Sequence, residues 1–158
     1  MPEVAGPSLM ARALRFLSRR EHSRQELRKK LLPHAADNPT QLDELLDRLE
    51  KESWLSNERY AESLVRRKSE RYGTLRIIDE LKQQSIPIET IDRLKETLKE
   101  TEGERAWALW SRKYGEAIAT DPKDRAKQVR YLVSKGFSLD LIIKITSGRY
   151  QPPSINFD

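Results

Sequence analysis

Arg66, Arg67, Lys68 and Arg71 crowd the end of one helical pattern, and this dense fixed charge is the feature of the chain that points most directly to chemistry. Cations so placed can neutralise phosphate groups and release their counterions. They can also complement the negative C-terminal end of the helix that carries them, although a helix dipole accounts for one or two charges more readily than for four. A second group, Arg19, Arg20, Arg24, Arg28, Lys29 and Lys30, surrounds a corner between two helices. A third, Lys123, Lys127 and Arg130, shares one helical face at i, i+4, i+7 spacing, where phosphate contact and a solvated surface fit equally well. The charges are unevenly spread. Residues 11–31 hold eight Arg/Lys against two Glu, whereas residues 41–52 hold five Asp/Glu against two Arg/Lys, so a basic helix pair is followed by an acidic helix.

No catalytic constellation accompanies these cations. The only histidines, His22 and His34, are too few and too close to other cations to build a metal centre or a triad. No glycine-rich phosphate loop follows a strand, because no strand is expected. The carboxylates lie among lysines and arginines on helix faces, where solvated ion pairs are the ordinary outcome. The chain therefore reads as a binding protein rather than an enzyme, with no cofactor and no metal. Phe16, Trp110 and Phe137 fall at core phase, whereas Trp107 and Tyr131 lie off the apolar stripes and are better placed to touch a partner.

The 158 residues carry a net charge of +5, with 37% hydrophobic and 35% charged residues. That is polar for one thick core, yet the apolar positions are well phased, which predicts thin helical layers. The charge balance suits an anionic partner, nucleic acid or acidic protein surface. With no cysteine there are no disulfides. Apolar runs fall far short of the ~20 residues a membrane span requires. The first residues lack the basic segment and apolar core of a signal peptide. A cytoplasmic, monomeric protein that does not contact membrane is the expectation.

The elements that must position the cations follow from apolar spacing and from punctuation. Residues 1–8 are expected to be a loose arm. A first helix over 9–18 buries Leu9, Ala13, Phe16 and Leu17. Ser23 and Glu26 form the S-x-x-E capping box of a second, Arg24–Leu32, that buries Leu27 and Leu31. Thr40 caps a third, running to Lys51 along Leu42, Leu45, Leu46 and Leu49, and Trp54-Leu55 closes the unit. The next unit begins at Ser56-Asn57. Its first helix places Tyr60, Ala61, Leu64, Val65 and Lys68 on one side. Tyr72-Gly73-Thr74 stops that helix, with Gly73 in the left-handed conformation and Thr74 capping the following one. Leu75, Ile77, Ile78 and Leu81 form that helix's stripe, and Ile86-Pro87 ends it. A short helix over 88–98 presents Ile88, Ile91, Leu94 and Leu98, and residues 99–103 form a polar hinge. The third unit holds a helix over 104–114 with Ala106, Leu109 and Trp110 inward. A second starts at Asp121-Pro122, runs to Lys135 with Ala126, Val129, Leu132 and Val133 inward, and stops at Gly136. Ser138 caps a last helix with Leu139, Ile142, Ile143 and Ile145 as its apolar face. The remainder is a frayed tail.

The pattern repeats. Leu81, Ile86, Ile91 and Leu94 match Leu132, Phe137, Ile142 and Ile145 at a constant offset, and Glu26-Leu27 matches Glu80-Leu81. The reading is all-α, with tandem three-helix repeats over residues 9–55, 56–100 and 101–150 in an elongated, curved arrangement and a tail over 151–158. Each unit is too small to bury much core alone, so neighbours must stack or lie along a partner.

With these residues in view, the chain resembles the RecX family, the bacterial regulators of the RecA recombinase. The resemblance covers nearly everything from Ala13 to Tyr150. Its first-repeat pattern stands here as Arg19, Arg20, Glu21, Ser23, Glu26 and Leu27, and its second-repeat pattern as Gly73, Arg76, Ile77, Glu80 and Leu81. The third repeat carries RYLVSKGFSLDLI at 130–142. Departures from the family's habit fall at Glu70, Arg71 and Thr74 beside the Gly73 corner, and at Ser56-Asn57. The resemblance implies a non-enzymatic modulator lying in the groove of the RecA–single-stranded-DNA filament. It would inhibit ATPase, strand exchange and co-protease activity, and so modulate recombination, DNA repair and the SOS response. Basic faces would approach phosphates or acidic protein, and the acidic helix would meet basic groove residues. The expected contacts are Arg19, Arg20, Arg24, Arg28, Lys29, Arg66, Arg67, Lys68, Arg71, Arg76, Lys123, Lys127 and Arg130. The charge alone also fits a stand-alone DNA-binding protein that competes with RecA for single- or double-stranded DNA. A helical adaptor for an unrelated protein is a third reading.

Overall fold

A computed structural model describes residues 6–153. The described residues form eight α-helices and no strand: α1 (Leu9–Arg19), α2 (Arg24–Leu31), α3 (Pro39–Lys51), α4 (Asn57–Lys68), α5 (Thr74–Gln83), α6 (Ile88–Tyr114), α7 (Pro122–Ser134) and α8 (Leu139–Thr146), with a short 3-10 turn at Leu32–His34. Much of the arm and tail expected at the two ends lies outside the described residues.

Several helix starts follow from local chemistry. Ser8, Ser23, Ser56 and Asp121 each accept a hydrogen bond from a backbone N–H of the first turn they cap. Only half of the capping box forms, because the Glu26 side chain turns away to Arg20. Asn38, not Thr40, caps α3, with Pro39 at the first helical position, where a missing N–H costs nothing.

The apolar residues separate into three clusters rather than one core. Ala13, Leu27, Leu31, Leu42, Leu46, Leu49 and Leu55 make the first. Tyr60, Ala61, Leu64, Ile77, Leu81, Ile91, Leu94 and Leu98 make the second, and Ala106, Leu109, Trp110, Leu132, Phe137, Ile142 and Ile145 the third. These thin layers match the polar composition.

The polar hinge does not exist. Residues 99–103 lie inside α6, a single helix of 27 residues that serves two clusters. Lys99, Glu100, Thr101 and Glu102 tolerate a helix, and one glycine costs only ~1 kcal/mol there. From Leu98 to Ala106 the apolar stripe rotates by about 80° at 3.6 residues per turn. The polar stretch is thus where one helix changes the core it faces.

The corner at Gly73 also differs from expectation. Gly73 has φ −80 and is itself the N-cap of α5, while Thr74 is the first helical residue and makes no cap. Glycine is needed here for close approach: a Cβ at Gly73 would drive into the carbonyl of Gly136, and one at Gly136 into Arg76. Gly136 does take the left-handed conformation, φ 93. The two glycines allow Gly73 N–H to donate to Lys135 O at 2.7 Å and Leu75 N–H to donate to Gly136 O at 3.1 Å. Backbone therefore bonds backbone between the second and third units.

Five residues expected inward, Leu75, Ile88, Val133, Leu139 and Ile143, are instead exposed, as is Trp54. On α7 the core position passes to Gln128, 5% exposed against 50% for Val133. Its amide accepts from Trp110 Nε1 at 2.9 Å and donates to Ala117 O at 3.1 Å, so the polar group is satisfied where it is buried.

Candidate partner-binding surface

The thirteen cations singled out from the sequence fall into distinct electrostatic settings. On the first unit they are largely consumed internally. Arg24 Nη1 meets Asp47 at 2.7 Å and Glu50 at 3.2 Å, and Arg28 Nε meets Asp43 at 2.9 Å, so basic α2 is stitched to acidic α3. The acidic helix, expected to face a partner, spends these carboxylates on its own neighbour. Arg20 grips Glu26 through two bonds of 2.9 Å. Partial burial opposes the charged form of Glu26, but the hydrogen bond and charge of Arg20 outweigh it and hold the carboxyl below its usual range. Arg19 and Lys29 are exposed and make no ion pair among the described residues.

Between these side chains lies His22, 1% exposed. Lys30 Nζ donates to its Nε2 at 3.0 Å, and its Nδ1 lies 3.0 Å from Arg20 O, which fixes a neutral ring protonated on Nδ1. Burial, with the charges of Arg20 and Lys30, pushes the His22 pKa down.

On the second unit Lys68 is held by both oxygens of Glu80 at 2.9 and 2.7 Å. Arg66, Arg67 and Arg71 are exposed at the C-terminal end of α4 and, among the described residues, pair with no carboxylate. On the third unit Lys123, Lys127 and Arg130 are exposed along α7, likewise without an ion pair among the described residues. Arg76 donates to Ser134 O at 3.2 Å and lies 4.0 Å from the centre of the Tyr72 ring.

The first unit docks on the second through polar side chains. Arg24 N–H donates to Asn57 Oδ1 at 2.9 Å, Gln25 Nε2 donates to Gln83 O at 2.7 Å, and Arg59 Nε donates to Glu21 at 2.9 Å. A cleft of about 410 Å³ opens there, lined by Gln25, Glu26, Lys29, Lys30 and Gln84.

Arg105 was not distinguishable in the sequence from other helical arginines. It emerges from α6 and donates to Ser69 O at 2.9 Å, Tyr72 O at 2.7 Å, Leu98 O at 2.9 Å and Thr74 Oγ1 at 3.2 Å, closing the end of α4. Burial lowers its pKa. Lys113 and Lys135 were missed as well. Lys113 Nζ lies 3.9 Å from the centre of Tyr131, and Lys135 Nζ sits 5.4 and 5.6 Å from Tyr72 and Tyr131. The i, i+4 spacing of Tyr131 and Lys135 was the available signal. Tyr131 thus receives cations, and Trp107 packs half-buried on the third cluster.

Known proteins resemble this chain throughout. Family models described as the first, second and third three-helix domains of RecX match residues 10–49, 56–94 and 100–145. "Regulatory protein RecX" of Ralstonia pickettii is 52% identical over 89% of this chain and 87% of its own length. The protein of that name from Ralstonia nicotianae is 49% identical over the same shares. The crystal structure of RecX from Lactobacillus salivarius superposes with a TM-score of 0.70 over 89% of this chain and 94% of that one, at 23% identity, a likeness of fold. No helix among the described residues is long and apolar enough to cross a membrane.

Proposed function

We propose, since this chain belongs to the RecX family of regulatory proteins, that it binds in the groove of the RecA–single-stranded-DNA filament and restrains it without catalysing a reaction itself. The activities restrained are RecA's ATP hydrolysis, strand exchange and co-protease action. Through them the protein modulates recombination, DNA repair and the SOS response in the cytoplasm, acting as a monomer of three tandem three-helix units.

The observation that carries this reading is the contrast between neutralised and free cations. Arg24 and Arg28 are bound to carboxylates of their own unit. Arg66, Arg67 and Arg71 crowd one helix end without such partners among the described residues. Like charges held together and left exposed repel one another, so an anionic partner gains from meeting them. The C-terminal dipole of α4 offsets part of that repulsion, and an acidic protein surface or a DNA phosphate would offset more.

The test is the triple variant Arg66→Glu, Arg67→Glu, Arg71→Glu. Its circular dichroism should match the parent, because exposed charges carry little folding stability. Its affinity for the filament should fall by about tenfold or more. Full affinity with a native spectrum would remove these residues from the interface. The same cations also favour simple competition for bare DNA. That reading requires tight, steeply salt-dependent binding to bare DNA at concentrations where the filament is already inhibited.

A further inference from the structure

Across the boundary between the second and third units, cations and tyrosine rings alternate. Arg76 lies 4.0 Å from the centre of Tyr72, and Lys135 lies 5.4 Å from Tyr72 and 5.6 Å from Tyr131. Lys113 lies 3.9 Å from Tyr131 and 5.8 Å from Tyr114, and the last two rings meet edge to face at 5.9 Å. The row therefore reads Arg76, Tyr72, Lys135, Tyr131, Lys113, Tyr114. It draws on α5, the α4–α5 corner, α7 and the end of α6.

The rings order these cations without neutralising them. A ring quadrupole attracts a cation by ~0.5–1 kcal/mol at an exposed site but carries no net charge. Among the described residues, Arg76, Lys135 and Lys113 form no ion pair with a carboxylate. On the first unit the opposite holds, with Arg20, Arg24 and Arg28 paired to acids. The geometry of the row is also enforced. The Gly73–Gly136 approach and the bond from Arg76 to Ser134 O hold both sides of the boundary together.

We infer that this row is a strip that tracks the phosphodiester backbone of a nucleic-acid strand. The cations are linked through successive rings, Arg76 and Lys135 at Tyr72, Lys135 and Lys113 at Tyr131, and are not gathered on one ring, so they suit a polymer with a repeated anion rather than a single small anion. The phenol hydroxyls between them supply donors to phosphate oxygens. Arg71 and Arg130, exposed next in sequence to Tyr72 and Tyr131, extend the positive field. The inference deepens the reading of a filament regulator and rests on it for the source of the strand. The strip's own binding is measurable without RecA.

The experiment is fluorescence anisotropy of labelled oligo-dT and of a duplex of equal length against the full chain, titrated over a series of salt concentrations. The variants are Lys113→Gln alone and the triple Arg76→Gln, Lys113→Gln, Lys135→Gln, each checked by thermal melting. Lys113 is exposed, so its removal leaves the fold intact and keeps the test valid if the triple variant melts early. The expected result is a several-fold loss for Lys113→Gln. For the triple variant, the slope of log affinity against log salt should fall by about two on single strand, at ~0.7 per phosphate. The arm showing the loss, single strand or duplex, identifies the strand tracked. Unchanged affinity and slope in both arms overturn the strip. So does a variant that loses the RecA filament but keeps the oligonucleotides, which would assign the row to protein contact. A parent chain that binds oligonucleotides through the strip yet leaves RecA activity untouched would instead overturn the proposed function and spare this inference.

Discussion

Gly73 and Gly136 face each other with no room for a Cβ on either side. Gly73→Ala should destabilise the protein by ~1–3 kcal/mol through overpacking, seen as a fall of several degrees in melting temperature. A melting temperature at or above the parent's would show that the backbones do not meet as described. The sequence marks Gly73 as a corner, but its purpose was legible only with the neighbouring unit in place, because φ −80 makes no demand for glycine. His22 is a second case. A lone histidine among cations reveals no role, yet it is buried as a neutral acceptor for Lys30. Its folded pKa lies below the ordinary 6.5. The unfolded chain therefore binds the proton more readily, and stability falls as pH drops through about 6.5 toward the folded value. Thermal melts from pH 7 to pH 5 should show that decline, and His22→Gln should flatten it. A parent slope that survives the substitution would assign the effect elsewhere.

At the scale of elements, most helices were readable because capping residues and 3.6-residue spacing agree, as at Ser23, Ser56 and Asp121-Pro122. The exception was α6, where a polar run with one glycine mimics a hinge although nothing in it forbids a helix. Arg105 explains why the join is firm. It leaves α6 about two turns beyond Leu98 and hydrogen-bonds the carbonyls of Ser69 and Tyr72 at the α4–α5 corner. Arg105→Met should cost about 2–4 kcal/mol, since several partly buried carbonyls would lose their donor. Urea unfolding checks this, and a loss under ~0.5 kcal/mol, the range of an ordinary surface substitution, would show that water replaces the guanidinium freely.

Over the whole molecule, the two joins differ in kind. The first unit meets the second through side-chain bonds such as Arg59–Glu21, whereas the second and third share α6 and bond backbone to backbone. Several cations divide the same way: Arg20, Arg24 and Arg28 are paired within the first unit, whereas Arg66, Arg67, Arg71, Arg76, Lys113 and Lys135 meet no carboxylate among the described residues, Lys68 on Glu80 being an exception in the second unit. Net charge made a basic binding protein legible. It could not separate paired from free cations, because each ion pair joins residues that only the fold brings together. The central claim is that the chain acts on the filament rather than on DNA alone. It is tested most directly by titrating single-stranded-DNA-dependent ATP hydrolysis of RecA with this protein, while following bare-DNA binding at the same salt. The account predicts inhibition well below one molecule per RecA, at concentrations that leave bare DNA largely unbound. Undiminished hydrolysis at a molar excess, or inhibition only once the DNA is coated, would contradict it.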